Sequence, residues 1–224
     1  YYQETGRAGR DGLAADAWMA YGLADVVQQR RMIDDGEAEE DFKRAQRDKL
    51  EALLALAEAH DCRRVRLLAY FGETYAGGAA GGLRCGNCDN CLAPPQAWDA
   101  TEAARKALSC VYRCQQASGF GFGAGHLIDI LRGKATDKVT QHRHDRLSTF
   151  GIGADVAEAQ WRGVFRQLVA AGHLRVEGEY HTLSLAPSAR AVLRGETRVL
   201  LRRVADARRV AAERTARAAR RQAA

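Results

Sequence analysis

Three cysteines within seven residues, Cys85, Cys88 and Cys91 of the run CGNCDNC, constrain this chain more than any other feature. Two overlapping Cys-x-x-Cys steps bring sulfurs within reach of one ion, and a tetrahedral Zn2+ takes four such ligands. A fourth donor must therefore come from elsewhere. Cys62 is the best placed, because a helical hairpin and a glycine arm (GGAAGG, 77–82) can fold the knuckle back onto it. His60 is the second candidate, and Cys110 and Cys114 lie farther on, in the next unit. Four thiolates leave no open position, so such a site is structural rather than catalytic. An iron–sulfur cluster, also held by four cysteines, and free reactive thiols are the competing readings. Cys110 and Cys114 stand four apart on a predicted helix, where small core packing is the ordinary role.

Six tightly spaced cysteines in 224 residues read as metal binding, not as the disulfide framework of a small secreted domain. The length predicts one or two domains with a proper core, and 46% hydrophobic with 28% charged residues is ordinary for globular proteins. A net charge of +6 favours an anionic partner, nucleic acid before acidic lipid. No apolar run approaches the ~18 residues of a membrane span, and the N-terminus has no basic and apolar leader. The chain starts without Met and its first residues read as mid-domain sequence, so a fragment is expected.

Residues 18–33 are mildly apolar and then basic, and Asp34–Asp41 (DDGEAEED) reads as a solvated loop and helix start. From Phe42 to Ala59 the composition is strongly helical, with Leu50, Leu53, Leu54 and Ala57 on a buried face. A second helix runs through CRRVRLLAYFG and stops at Gly72, giving an antiparallel pair. Pro94 and Pro95 mark a boundary. Beyond it, Asp99 or Thr101 caps a helix through Cys114, with Ala104, Leu108, Val111 and Tyr112 inward. GFGFGAG is a glycine-punctuated turn, and short helices follow at His126–Gly133 and Trp161–Gly172. Leu174–Leu185 alternates around Glu177-Gly178-Glu179 as a hairpin. Three helices and a hairpin are the winged-helix arrangement, a helix-turn-helix variant. The tail from Arg198 is Arg/Ala-rich and reads as a solvated helix or linker.

Basic residues mark where such a unit would meet nucleic acid. Lys134, Lys138, His142, Arg143, His144 and Arg146 follow a short helix, and Arg162 and Arg166 share the next at i,i+4. Several of these are expected on backbone phosphates, which set affinity without carrying sequence information. The hairpin tip offers Tyr180 and His181 as stacking groups against a terminal base pair.

At the other end, YYQETGRAGRDG spaces Gln3, Arg7 and Arg10 along one face if helical, and Gly6 and Gly9 allow close approach. Arginine suits bidentate phosphate contact and the charge of nucleotide hydrolysis. As a pattern of letters, QETGRAGRDG resembles the sixth motif of superfamily 2 helicases in the form used by the RecQ family of DNA helicases. CRRVRLLAYFGE followed by CGNCDNC resembles that family's zinc-binding subdomain. ARKALSCVYR, HLIDILRGK, the QLVAAGHL-to-hairpin run and ARAVLRGE resemble its winged-helix domain, so the likeness covers about residues 1–197.

The resemblance implies a fold that is mainly α with small β. Residues 1–33 would end a RecA-like α/β motor lobe, 34–96 would be the zinc-binding subdomain, 97–197 the winged helix and 198–224 a basic tail or linker. It implies an ATP-dependent 3′–5′ DNA helicase of repair and recombination in the bacterial cytoplasm, associated with the nucleoid. Arg7 and Arg10 would match the motif's two arginines, one or both reaching the ATP γ-phosphate, Gln3 would match its glutamine in role only, and Cys62, Cys85, Cys88 and Cys91 would hold structural Zn2+. Partners would be duplex, forked and single-stranded junction DNA, with single-stranded-DNA-binding protein a further one, and no membrane. The chain has no GxxxxGK[ST] loop and no acidic Mg2+ box, so ATP and Mg2+ belong to the full-length parent and the chain alone should be inactive.

Overall fold

A computed structural model describes residues 3, 6–8, 12, 15–17, 19–77, 84–178 and 180–204. Its first part is helical: α1 (Leu23–Asp34), α2 (Glu40–Glu58), α3 (Arg63–Tyr70) and the single turn α4 (Asp89–Leu92). Acidic residues in the first turn of α2 complement its dipole, and the preceding acidic run is exposed loop, as its composition predicts. The α3 stop is set by Gly72. Its φ of +77° lets Glu73 N–H return to Leu68 C=O at 2.9 Å and its own N–H to Ala69 C=O at 3.0 Å, the two bonds of a glycine helix end.

Helix α1 was not anticipated as a helix. It buries Val26 and Val27, packs along α2, and is pinned to it by Arg30–Glu51 at 2.8 Å and Arg47–Asp34 at 2.7 Å. The expected division at 33/34 therefore cuts through a packed pair, and α1 goes with the zinc-binding part.

The second part is built on α5 (Thr101–Ser118). The cap position is Ala100, which makes no side-chain cap bond, so neither Asp99 nor Thr101 caps the helix as expected. Asp99 instead accepts the Thr101 N–H at 3.0 Å from one residue before the cap, and Ala104, Ala107, Leu108, Cys110, Val111 and Cys114 are buried. Tyr112, expected inward, is half-exposed, because one residue past Val111 the helix has already turned its side chain off the stripe. Then come α6 (Ala124–Leu131), α7 (Asp137–Gln141), a 3-10 turn (His144–Arg146) and α8 (Glu158–Ala170). The hairpin is β2 (Leu174–Glu177) with β3 (Thr182–Leu185), in register from Leu174↔Leu185 to Glu177↔Thr182. Phe122 bridges to Leu183 and accepts its N–H at 2.9 Å, so the glycine-rich turn lies against the wing. Trp161, Phe165, Leu168, Leu108, Ile130 and Leu131 fill the core, and Trp161 Nε1 donates to Gly153 C=O at 2.9 Å.

After α9 (Ala189–Arg194) comes a correction to the expected tail. Residues 199–204 are built in: β4 (Leu200–Arg202) pairs antiparallel with β1 (Ala97–Asp99), and Val199 and Leu201 are buried. The buried amide of Gln167 on α8 locks this strand, accepting from Arg202 N–H at 2.7 Å and donating to Arg202 C=O at 3.0 Å.

Candidate functional site

Four sulfurs converge where α3, the knuckle and α4 meet. The Sγ atoms of Cys62, Cys85, Cys88 and Cys91 all lie within 4.8 Å of one another, and Cys85 Sγ is 3.9 Å from Cys91 Sγ. Thiolates at about 2.3 Å around a tetrahedral ion are about 3.8 Å apart, so the donor set fits Zn2+. Backbone N–H groups support it: Asn87 and Cys88 donate to Cys85 Sγ at 3.4 and 3.3 Å, and Cys85 N–H points at Cys62 Sγ at 3.3 Å. Burial opposes the Cys91 thiolate, but hydrogen bonds from Gly86 N–H, Cys88 and Cys62 outweigh it and bring the thiol down to about 6. Cys85 is likewise lowered: its partial burial is outweighed by the Asn87 and Cys88 N–H bonds. Bound there, zinc supplies a structural crosslink and no open coordination position. His60 is exposed and outside the group, while Cys110 and Cys114 are core residues whose sulfurs sit 4.0 Å apart in α5.

The knuckle is tied to the rest of the molecule through the C-terminus of α2. That helix ends at Ala59 without a glycine, leaving its last carbonyls to be satisfied from outside. Arg63 takes Leu56 C=O and Ala57 C=O. Asn90, buried between two zinc ligands, donates to Ala59 C=O at 2.7 Å and Asp61 C=O at 2.8 Å. Arg202, from the last strand of the winged helix, reaches Ala57 C=O and Ala59 C=O, both at 3.2 Å. One residue earlier, Glu58 accepts from Arg166 Nε at 2.6 Å and from the Tyr21 hydroxyl. Burial first, then the Glu58 charge, raises the Tyr21 phenol, so it stays a donor. None of Glu58, Asn90, Gln167 or Arg202 stood out in the sequence. Only Asn90, flanked by ligand cysteines, carried a local signal.

The basic residues sort into three groups. Lys138, Arg143 and Arg146 are exposed and make no ion pair among the described residues. Lys134 and Arg162 are exposed but share Glu158, at 3.0 and 2.9 Å, with Arg132 also at 3.0 Å. Those cations, Arg162 first and Lys134 next, hold the Glu158 carboxyl down at about 2. Arg166 is the third kind: it is largely buried against Glu58 and Tyr21, so it joins two parts of the chain instead of presenting to a phosphate. His144 needs a similar correction. It is fully buried, with Nδ1 2.8 Å from His126 Nε2 and Nε2 2.9 Å from Ser118 Oγ.

At the wing tip Tyr180 is 86% exposed, and His181 has φ +56°, a left-handed turn conformation shared by Arg143 at +57°. His142 is half-buried, edge-on to Phe120 and Phe122. At the N-terminus Gln3 and Arg7 are exposed, and Arg10 lies outside the described residues, as does most of the glycine arm. No helix among the described residues is long and apolar enough to cross a membrane.

Comparison with known proteins agrees with this geometry. A family model described as the RQC domain matches residues 94–210, and one described as RecQ zinc-binding matches residues 23–92. The chain is 40% identical over 198 residues to the ATP-dependent DNA helicase RecQ of Haemophilus influenzae, covering 88% of this chain and 30% of that protein. It is 32% identical over 200 residues to the protein of the same name in Bacillus subtilis, covering 89% and 32%. It is 34% identical over 176 residues to the ATP-dependent DNA helicase hus2/rqh1 of Schizosaccharomyces pombe, covering 77% and 13%. The chain thus spans at most about a third of these relatives' length.

Proposed function

The chain belongs to the RQC-domain family, with a RecQ-type zinc-binding region ahead of that domain, and on this premise we propose that it is the C-terminal part of an ATP-dependent 3′–5′ DNA helicase. In this reading the four cysteines hold a structural Zn2+ and the winged helix docks duplex and forked DNA during repair and recombination. The observation that carries it is the placement of Lys138, Arg143 and Arg146, exposed and without acidic partners among the described residues, on the same unit as a wing with an exposed Tyr180. Such cations release counterions from a phosphate backbone without reading sequence.

The ordinary third-helix mode of a winged helix is not the one proposed. Of the two arginines on α8, Arg166 is committed to Glu58 and Arg162 to Glu158. DNA is therefore assigned to α7, the turn after it, and the wing, with His142 and His181 at its border. Lys134 and Arg162 add long-range attraction with Glu158 between them. Gln3, Arg7 and Arg10 would act in the full-length parent, at an ATP and Mg2+ site completed by another lobe. A single-stranded-DNA-binding protein is a partner consistent with work at forks, and a nucleoid location follows from the same reading.

Fluorescence anisotropy on forked and duplex DNA tests it. Binding should weaken steeply with salt, with a slope of about −0.9 per phosphate neutralised. No binding at low salt, or a salt-insensitive signal, would count against a DNA-docking role.

A further inference from the structure

The winged helix carries a column of rings that is buried at one end and open at the other. His126 stacks on Phe122 with centroids 4.4 Å apart and planes 21° apart. Phe122 in turn faces Phe120 at 4.9 Å and 33°. Phe122 is 3% exposed, whereas Phe120 is 53% exposed. His142 braces both phenylalanines edge-on, at 5.7 and 5.0 Å. We propose that Phe120 is a stacking platform for an unpaired nucleobase, placed beside the wing, where a single strand leaves a duplex. This rests on the DNA-docking reading above and names a contact within it.

A lone exposed phenylalanine is ordinary. Phe120 differs in being the last ring of a rigid stack, so a base placed on it meets a surface already ordered and little entropy is lost. The backbone holds it there. A side chain at Gly121 would sit 3.0 Å from Thr182 Cβ and 3.2 Å from Leu183 C=O, so it would have to push β3 back by a few tenths of an ångström, and glycine lets the turn lie close against that strand. At Gly123 the same test meets the carbonyls of His181 and Tyr180, at 3.7 and 4.0 Å, which puts the wing tip alongside. The charge nearby favours nucleic acid over an apolar peptide. Lys138 Nζ lies 5.8 Å from the Phe122 ring centre, and Arg143, next to His142, has no acidic partner among the described residues. Asp137 and Asp145 flank these cations without pairing to them. Aromatic platforms edged by cations are how single strands are held without regard to sequence.

The test uses this chain and a duplex with a single-stranded tail carrying 2-aminopurine at the first unpaired positions, beside the same duplex blunt-ended. With the native sequence, binding should change the 2-aminopurine emission. Phe120→Leu should abolish that change and weaken tailed-duplex binding about 5- to 150-fold, the range for one stacked base. Blunt-duplex binding and thermal unfolding should stay as before. Phe120→Trp should restore tail binding, and its indole emission should be quenched by an oligothymidine. Phe120→Leu binding the tail normally, or losing blunt-duplex binding equally, would overturn the platform while leaving DNA docking intact. If the native chain binds neither DNA at low salt, the docking reading fails and the platform with it.

Discussion

Arg166 Nε lies 2.6 Å from Glu58 Oε1 and joins α8 of the winged helix to the last residue of α2 in the zinc-binding part. Glu58 is 11% exposed at its side chain and Arg166 31%, so the pair is shielded without being fully dry. Removing the carboxylate alone leaves a guanidinium and the Tyr21 hydroxyl facing an empty place. Glu58→Ala should cost about 2–3 kcal/mol, below the full buried-pair penalty, and Glu58→Gln about half of that. Urea unfolding of both, with Arg166→Met and the double variant, should give a coupling above about 1 kcal/mol. A coupling near zero would mean the pair is incidental.

The sorting of cations makes a separate prediction for DNA binding. Lys138→Ala, Arg143→Ala and Arg146→Ala should each reduce the salt slope by about 1 and weaken binding to all sequences alike. Arg162→Ala should have a smaller effect, since it also frees Glu158 of one of its partners. Arg166→Met should change stability and leave the slope alone. Anisotropy titrations across a salt series would measure all five, and an Arg166 slope effect equal to that of Arg143 would refute the division.

These differences mark where sequence was legible. Helices α5 and α8 of the winged part follow apolar spacing, and Ala104, Leu108, Trp161, Phe165 and Leu168 are buried where that spacing puts them. The cysteine run pointed to one cluster because ligand spacing is a local property. Long-range pairing left no such trace. β1 and β4 are three residues each, too short for a period to show, and are made strands by Gln167 and by each other. Helix α1 has a narrow apolar face of Val26 and Val27, completed only when α2 lies on it. His144 sat among basic letters, yet its place is decided by a histidine and a serine 18 and 26 residues away.

That buried histidine pair predicts a pH dependence. Burial first, and then the His144 and Lys138 charges, hold His126 down to about 4; burial also lowers His144. A folded value below the ordinary one near 6.5 means the unfolded chain binds the proton first. The pair's contribution is then complete above about pH 6.5 and is lost as pH falls toward 4, on the order of 3 kcal/mol. Urea midpoints at pH 7.5 and 5.0 should differ more for the native chain than for His126→Phe with His144→Gln. Zinc-ligand protonation affects both proteins alike, so an equal pH response would exclude the histidines as its source.

Zinc removal should be felt beyond the knuckle. Asn90 stands between two ligands and holds Ala59 C=O and Asp61 C=O, and Arg202 of the winged helix holds Ala57 C=O and the same Ala59 C=O. Cys88→Ser, or chelation, should release Asn90 and leave Arg202 gripping an unsupported helix end. Hydrogen exchange should then speed by at least about tenfold through residues 56–62 and 85–92, which corresponds to about 1.4 kcal/mol of lost protection. Exchange in α5 and α8 should change little, because their core around Trp161 and Phe165 is closed without the knuckle. Metal analysis should find about one zinc per chain before removal and well below one in Cys88→Ser. Asn90→Ala should keep its zinc and reproduce the faster exchange at 56–62 alone, which separates loss of the tether from loss of the metal. Equal acceleration in α5 would show that the two parts fold as one cooperative unit.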